Sequence, residues 1–281
     1  MPAYEPILYV AEIGSNHMGD LHLAIELIAA AQKAGAGAVK FQLFRAKKLD
    51  FRPKVQAKLK PFELRPEWLA RLALETRVRG MKFIVTPFDL EAVDYLAGLV
   101  DMVKISAYDL TYRALIDKAA SLGVPVILST AMATPKEIWD SHGMPRPDMV
   151  LLHGVAAYPA DEKDYSIAKI YSFLEDYLNV GISDHTIGSG FLRQAAQLPI
   201  CMAEKHFRLF TTPTESPDHS VSANPKDFAE YVKVGTVARK QAEQAIVGGP
   251  LPIEMPLFKT CRRTNNNPLR GRRPLDVELS T

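Results

Sequence analysis

Eight short apolar runs alternate with stretches of helical spacing through most of this sequence. The runs cover residues 8–13, 38–43, 82–86, 102–105, 124–129, 149–153, 180–182 and 199–203. After the first run, Leu23, Leu27 and Ala31 fall on one helical face, and Gly35 ends that predicted helix. Because strand and helix alternate eight times, the most economical closed arrangement is a (β/α)8 TIM barrel of the α/β class. We therefore predict one barrel domain over residues 1–245.

Residues 246–281 break this alternation. They contain closely spaced Gly and Pro, three consecutive asparagines at 265–267 and five arginines between Arg262 and Arg273. This composition predicts a loop-rich basic tail and not a second domain. A solvated or subunit-contacting tail is favoured over one that binds nucleic acid.

Charge and cysteine content exclude several classes of function. The 281 residues carry 34 Lys and Arg against 32 Asp and Glu, a net charge of +2. No global field therefore favours nucleic acid or an anionic membrane. Two cysteines give no disulfide framework, and no apolar run is long enough to span a bilayer. The N-terminus shows no targeting segment, so we expect a soluble, cytoplasmic protein.

Polar side chains stand where the apolar runs end, and in a parallel barrel these ends share one mouth. The set is Glu12, Lys40, Gln42, Thr86, Lys104, Ser129, His153, Ser183, Asp184, His185, Glu204 and His206. His185 and His206 follow consecutive strands and lie beside carboxylates, a combination that predicts a divalent-metal site. The alternative is that each imidazole only caps its strand with hydrogen bonds.

Two lysines within the predicted strands, Lys40 and Lys104, are costly to bury without a partner. They indicate an anionic ligand in the mouth, with hydroxyls of Thr86, Ser129 and Ser183 completing a phosphate or carboxylate cradle. A Schiff-base lysine and a structural Lys–Glu pair are the alternatives. These residues predict a metal-assisted enzyme that forms carbon–carbon bonds on a phosphorylated or carboxylated small molecule.

Several motifs resemble the sialic acid synthase family over about residues 5–245. They include AEIGSNHMGD (11–20), AGAVKFQLF (36–44), ILSTAMAT (127–134), VGISDHTIG (180–188), EKHF (204–207) and SPDHSVSANP (216–225). The resemblance implies a transferase that condenses phosphoenolpyruvate with the aldehyde of an N-acetylated hexosamine, such as N-acetylmannosamine, and releases phosphate. It also implies a divalent cofactor, Mn²⁺ or Mg²⁺, and a homodimer.

The resemblance assigns roles to particular residues. The expected catalytic residues are Glu12, Lys40, Lys104 and His185, with Glu12 as acid or base, and the expected metal ligands are His185 and His206. The expected substrate-binding residues are Gln42, Thr86, Ser106, Asp109, Ser129, Tyr158, Ser183, Glu204 and Asp218. Of these, Gln42, Tyr158 and Asp218 would contact the sugar or order the site, and Asp109 would direct a carboxylate toward the sugar.

This sequence also departs from the family pattern. Ala107 stands where relatives usually have a phosphate-binding serine, although Ser106 lies beside it, and Ala131 and Ala156 replace a glycine and a polar ligand. The C-terminal antifreeze-like domain of the family is not found, and RGRRPL (270–275) resembles the junction that precedes it. A separate lid-domain protein could therefore complete the mouth. A non-catalytic barrel that binds a sugar acid, or another metal-dependent aldolase or lyase, is the alternative function.

Overall fold

A computed structural model describes residues 5–143 and 146–247 and shows a closed barrel of eight parallel strands. The strands pair in chain order, and β8 pairs with β1 to close the sheet. Their bounds are β1 Leu8–Gly14, β2 Ala38–Leu43, β3 Lys82–Pro87, β4 Met102–Ile105, β5 Val126–Ser129, β6 Met149–Gly154, β7 Val180–Asp184 and β8 Met202–His206. The predicted TIM barrel is confirmed.

Helices connect each strand to the next on the outside of the barrel. Their bounds are α1 Leu21–Lys33, α2 Ala46–Leu49, α3 Pro53–Leu59, α4 Leu69–Arg77, α5 Leu90–Asp94, α6 Arg113–Ala120, α7 Pro135–His142, α8 Ile167–Asp176, α9 Gly190–Ala195 and α10 Pro225–Val247. The stretch 45–65 contains the short helices α2 and α3. Because α3 buries none of its side chains, its sequence shows no apolar periodicity.

Local sequence explains where several helices begin. Asp20 and Asp89 accept hydrogen bonds from backbone N–H groups in the first turns of α1 and α5. Thr134 and Glu137 form a capping box around Pro135, which is the first residue of α7. These caps satisfy N–H groups that would otherwise have no partner, and so they fix the helix starts close to the strand ends.

The eighth strand is shifted from its predicted position. The apolar run 199–203 was taken as the strand, with Glu204 as the first residue beyond it, whereas β8 covers Met202–His206. The prediction was wrong because it ended the strand at the first charged residue. In this barrel the charged residues of β8 are buried and paired, so the strand continues through them.

The inside of the barrel has an apolar floor and a polar layer above it. Floor residues from seven strands pack together: Val10, Ala38, Ile84, Met102, Ile127, Val150, Leu152 and Met202. Side chains alternate between the two faces of a strand, so the residue two positions after a floor residue also points inward. Glu12 therefore stands above Val10, Lys40 above Ala38 and Glu204 above Met202. The second, larger core lies between the strands and the helices.

The chain divides into two compact units, Met1–Arg239 and Lys240–Thr281. The first contains the barrel, and the described part of the second, 240–247, is the end of α10. The predicted basic tail falls outside the described residues except for its first two positions. Its character and the boundary at residue 245 stay predictions. Within the described ranges, no helix is both long and apolar enough to cross a membrane.

Candidate active site

The carboxyl ends of the strands surround a narrow cavity of about 50 Å³, which we call the mouth. Most of the predicted site residues line it: Glu12, Lys40, Gln42, Thr86, Lys104, Ser106, Ser129, Tyr158, Ser183, His185, Glu204 and His206. Strand register brings them together, because Glu12 pairs with both Lys40 and His206 across the sheet. The structure thus gathers these side chains at one place, and their individual roles stay predictions.

Two lysines and two glutamates form a buried ion network in the mouth. Lys40 Nζ lies 2.6 Å from Glu12 Oε2 and 3.8 Å from Glu204 Oε2. Lys104 Nζ lies 2.5 Å from Glu204 Oε1. All four side chains are nearly inaccessible to solvent. Because the charges alternate in sign, the network is neutral, as burial of so many ions requires.

Hydroxyl and amide groups complete this network. Thr86 Oγ1 accepts a hydrogen bond from Lys40 Nζ at 3.1 Å, and Gln42 Nε2 donates to Glu12 Oε1 at 2.7 Å. Ser183 Oγ donates to Glu204 Oε1 at 3.1 Å. Each carboxylate is therefore held by at least two donors. A side chain held in this way can present one oxygen to a ligand without rotating.

Burial and pairing have opposing effects on the ionisable groups of the network. Burial would raise the pKa of Glu204, but Lys104 and Lys40 outweigh it and lower the pKa to about 2. Burial would also lower the pKa of Lys40, yet the Glu12 and Glu204 carboxylates raise it. Lys104 differs because burial lowers its pKa and Glu204 offsets this only in part. Lys104 is thus the more easily deprotonated lysine.

Two imidazoles lie next to this network, with ring centroids 5.5 Å apart. His185 Nδ1 lies 2.6 Å from the Val155 carbonyl oxygen, so this nitrogen carries the proton and donates. Burial, together with His206, lowers the pKa of His185 to about 3. His185 is therefore neutral near pH 7, and its Nε2, which lies 3.4 Å from Ser183 Oγ, carries a lone pair. The Tyr158 ring packs over His185 with centroids 4.3 Å apart.

The imidazole pair fits a divalent metal only in part. Neutral imidazole nitrogens are good ligands for first-row metals. Among the described residues, however, no group of three or more His, Cys, Asp or Glu side chains could hold a metal ion. The described residues therefore offer two nitrogen ligands, and water or substrate oxygens would have to supply the others.

Asp218 reaches the same region from the loop that follows β8. Its Oδ1 lies 3.8 Å from His206 Nδ1, and its Oδ2 accepts hydrogen bonds from Ser15. Ser15 was not among the predicted site residues. Only its position inside the 11–20 motif could have indicated it, because its partner lies 203 residues away in the sequence.

Two polar residues that were expected in the mouth point out of the barrel instead. His153 lies on the outer face of β6, where its Nε2 accepts from the Ser166 N–H at 3.1 Å. Asp184 lies on the outer face of β7, 3.7 Å from Lys205 Nζ. Both expectations were wrong because side chains alternate between the two faces of a strand. The preceding residues, Leu152 and Ser183, face inward, so His153 and Asp184 face outward.

Asp109 does not line the mouth. It ends a single 3₁₀ turn, Ala107–Asp109, after β4, and its Oδ2 is buried without a hydrogen-bond partner among the described residues. Burial raises the pKa of this carboxyl to about 6. Its backbone N–H donates to the Ser106 carbonyl oxygen at 3.0 Å, so Asp109 lies next to the mouth, and its predicted contact with a sugar stays a prediction.

The fold and the mouth together define a (β/α)8 barrel whose mouth is lined by two buried lysines, their glutamate partners and two imidazoles. The model of the NeuB family matches residues 27–246, and the chain belongs to this family. The predicted resemblance to sialic acid synthases is thereby confirmed at the level of the family.

Individual relatives agree with this assignment. N,N'-diacetyllegionaminic acid synthase of Campylobacter jejuni is 34% identical over 247 residues, which are 79% of this chain and 73% of that protein. Human N-acetylneuraminate-9-phosphate synthase is 29% identical over 91% of this chain and 75% of that protein. The crystal structure of N-acetylneuraminic acid synthetase from Leptospira borgpetersenii, in complex with citrate, superposes with a TM-score of 0.81 at 28% identity and covers 91% of each chain.

Proposed function

We propose that this chain is a nonulosonic acid synthase, which condenses phosphoenolpyruvate with the aldehyde of an N-acetylated hexose. C3 of the donor attacks the aldehyde carbon, water adds at C2, and phosphate leaves with cleavage of its C–O bond. The observation that carries the proposal is the placement of Lys40 and Lys104 on the inner face of the barrel, beside two imidazoles. The names of the curated relatives support the same reaction class.

Lys40 and Lys104 would bind the donor by exchanging contacts with Glu12 and Glu204 for contacts with its phosphate and carboxylate groups. Phosphoenolpyruvate carries a phosphate and a carboxylate, and each needs a cation or several N–H or O–H donors in a buried site. Lys40 and Lys104 are already held in place by Glu12 and Glu204. The hydroxyls of Thr86, Ser129 and Ser183 lie in the same cavity and would add neutral donors.

Glu12 is the proposed acid or base of the reaction. Gln42 and Lys40 both contact its carboxylate, so that its position above the barrel floor is fixed. A carboxylate fixed beside the donor can accept a proton from attacking water or return one to the new hydroxyl. Tyr158, packed on His185, would form the wall against which the sugar rests.

His185 and His206 are the residues that would hold Mn²⁺ or Mg²⁺. When bound there, such an ion would polarise the aldehyde oxygen of the acceptor. Burial lowers the pKa of His185 and keeps its imidazole neutral, and the Val155 carbonyl oxygen accepts the hydrogen bond from Nδ1. Metal dependence is part of the proposal and is tested with it.

A second subunit or a separate lid-domain protein is proposed to cover the mouth. Large apolar side chains are exposed on five of the loops that follow strands: Phe51, Tyr108, Met132, Ile187 and Phe210. Exposed apolar side chains collected on one face are typical of an interaction surface. A homodimer and a cytoplasmic location stay predictions.

The decisive experiment measures phosphate release from phosphoenolpyruvate with Mn²⁺ and a panel of N-acetylated hexoses. Lys104→Met should abolish release, because it removes a cation from the mouth. Lys205→Met is the matched control, because Lys205 is equally buried but faces out of the barrel toward Asp184. Release that depends on the sugar and is lost only in Lys104→Met supports the proposal.

Two alternative functions have specific observations in their favour. Ala107 and Ala156 line the mouth without polar groups, which favours a non-catalytic barrel that binds a sugar acid. The lowered pKa of Lys104 favours a Schiff-base aldolase that uses pyruvate. Binding of phosphoenolpyruvate without release would support the first. Trapping of pyruvate on Lys104 by borohydride would support the second, and either result would overturn the synthase proposal.

A further inference from the structure

The segment that follows β2 carries a large excess of positive charge. Residues 45–65 contain eight lysines and arginines against two carboxylates, Asp50 and Glu63, a net charge of +6. The whole chain carries only +2, so the rest of the chain carries −4. Positive charge is therefore concentrated in residues 45–65, which we call the basic segment.

The basic segment lies at the rim of the mouth. At its start, Arg45 Nη2 lies 2.8 Å from Asp89 Oδ1, and Asp89 directly follows Phe88, which lines the mouth. Towards its end, the Pro61 carbonyl oxygen lies so close to Gly19 that a Cβ atom on this glycine would be 2.3 Å away. Gly19 belongs to the loop after β1. The basic segment therefore follows the rim from the loop after β3 to the loop after β1.

Most cations of the basic segment have no anionic partner. Ion pairs engage only three of them, Arg45, Lys48 and Arg52. In the part of the chain that the structure describes, no carboxylate lies within 4.0 Å of the other five, which are all exposed: Lys47, Lys54, Lys58, Lys60 and Arg65. Two of the five lie on α3, which buries none of its side chains. Because these charges are not cancelled locally, their field extends into the solvent over about 10 Å at 0.1 M salt.

The opposite side of the rim is acidic. In the barrel of eight strands, β6 lies four strands away from β2, directly across the mouth. The loop after β6 exposes Asp161, Glu162 and Asp164, and its only cation, Lys163, pairs with Asp161 at 2.7 Å. The mouth therefore lies between a basic and an acidic side. An anion that approaches the mouth is attracted to the basic side and repelled by the acidic one.

We propose that the basic segment attracts the anionic donor and steers it into the mouth. The lysines inside the mouth are paired with Glu12 and Glu204 in a network without net charge, so they attract no anion from a distance. The exposed cations of the basic segment supply that attraction, and contacts with Lys40 and Lys104 follow at short range. This inference rests on the proposed function for the identity of the donor. It predicts faster association of phosphoenolpyruvate and no effect on an uncharged N-acetylated hexose.

The test measures the association rate of phosphoenolpyruvate by stopped-flow fluorescence at low and high salt. The double variant Lys54→Glu, Lys58→Glu reverses two exposed charges of α3. At about 20 mM salt we expect association to be about 3- to 10-fold slower than in the wild type, and at about 0.5 M salt, where the charges are screened, the difference should vanish. The dissociation rate should not change, because neither lysine lines the mouth.

The double variant Lys33→Glu, Lys82→Glu is the matched control, because it changes the net charge of the chain by the same amount. Both lysines are exposed, and they stand at the other end of the barrel, since Lys33 ends α1 and Lys82 begins β3. The control should keep the association rate of the wild type. Equal rates in the α3 variant and the wild type at low salt would overturn the inference, as would an equal slowing in the control.

A second measurement detects the field without a donor. Relaxation of amide protons by an anionic and by an uncharged nitroxide reports where anions collect on the surface. The anionic probe should be enriched about twofold or more at Phe88 and Gly19, and this enrichment should be lost in the α3 variant. An even distribution around the rim would overturn the inference. Should the wild type bind no phosphoenolpyruvate, the proposed function fails, whereas the nitroxide measurement still decides whether the basic segment draws anions to the mouth.

Discussion

Glu204 is the residue through which the charges of the mouth can be tested most directly. It is the only carboxylate within 4 Å of Lys104 among the described residues, and it also lies 3.8 Å from Lys40. We expect Glu204→Gln to lower the free energy of unfolding and to strengthen the binding of anions. A loss of stability would show that the ion network stabilises the fold. Stronger anion binding would show that the Glu204 charge opposes anions in the mouth.

The magnitude follows from the two distances. With an effective dielectric constant of about 20, charges at 2.5 Å and 3.8 Å attract by about 7 and about 4 kcal/mol. The cost of removing the ions from water offsets most of this attraction. Loss of one partner from a buried pair therefore lowers stability by about 3–5 kcal/mol. The network of two lysines and two glutamates changes from a net charge of 0 to +1.

Removal of the Glu204 charge should also remove a repulsion of about 2 kcal/mol from a bound anion. Inorganic phosphate should then bind at least tenfold more tightly, as measured by calorimetry in the presence of EDTA. Guanidinium denaturation with and without phosphate measures the stability change. The added phosphate should restore more stability to Glu204→Gln than to the wild type.

Asp184→Asn is the matched control for this prediction. Asp184 is also buried and pairs with a lysine, but it lies on the outer face of β7. The control should lose stability and keep the phosphate affinity of the wild type. The reasoning is refuted when Glu204→Gln is as stable as the wild type, or when Asp184→Asn changes phosphate affinity to the same extent.

Three further changes have defined outcomes. Gly14→Ala should lower the free energy of unfolding by about 1–3 kcal/mol, because Gly14 has a φ of +52° and the new Cβ would clash with the Asp218 carboxylate. Guanidinium denaturation measures this change in stability. Asp109 has a folded-state pKa raised to about 6, above its unfolded value, so its contribution to stability falls as pH rises from about 4 to 6. In Asp109→Asn this decrease of stability between about pH 4 and pH 6 should be absent when denaturation is followed across that pH range. His153→Gln should lower stability by about 1–3 kcal/mol and leave phosphate release unchanged, because His153 faces away from the mouth.

The strand order and most strand positions follow from the sequence. The alternation of apolar runs with helical spacing can be read from short windows of the sequence. Each apolar run is then buried as one strand of the parallel sheet. Residues 38–43 and 102–105 were predicted with the bounds that β2 and β4 have. Charged residues inside a strand, as in Met202–His206, escaped prediction because their burial depends on partners from other strands.

The sequence by itself determined which polar residues end the strands, since Lys40, Lys104, His185 and Glu204 each stand in or beside an apolar run. Only the tertiary structure decided which of them face the mouth. Closure of the barrel fixes the inward face of each strand, and a shift of one residue reverses every side chain. That is why Ser183 lies inside and His153 lies outside. Ser15 and Asp218 meet for a different reason: loops far apart in sequence are neighbours once β8 pairs with β1.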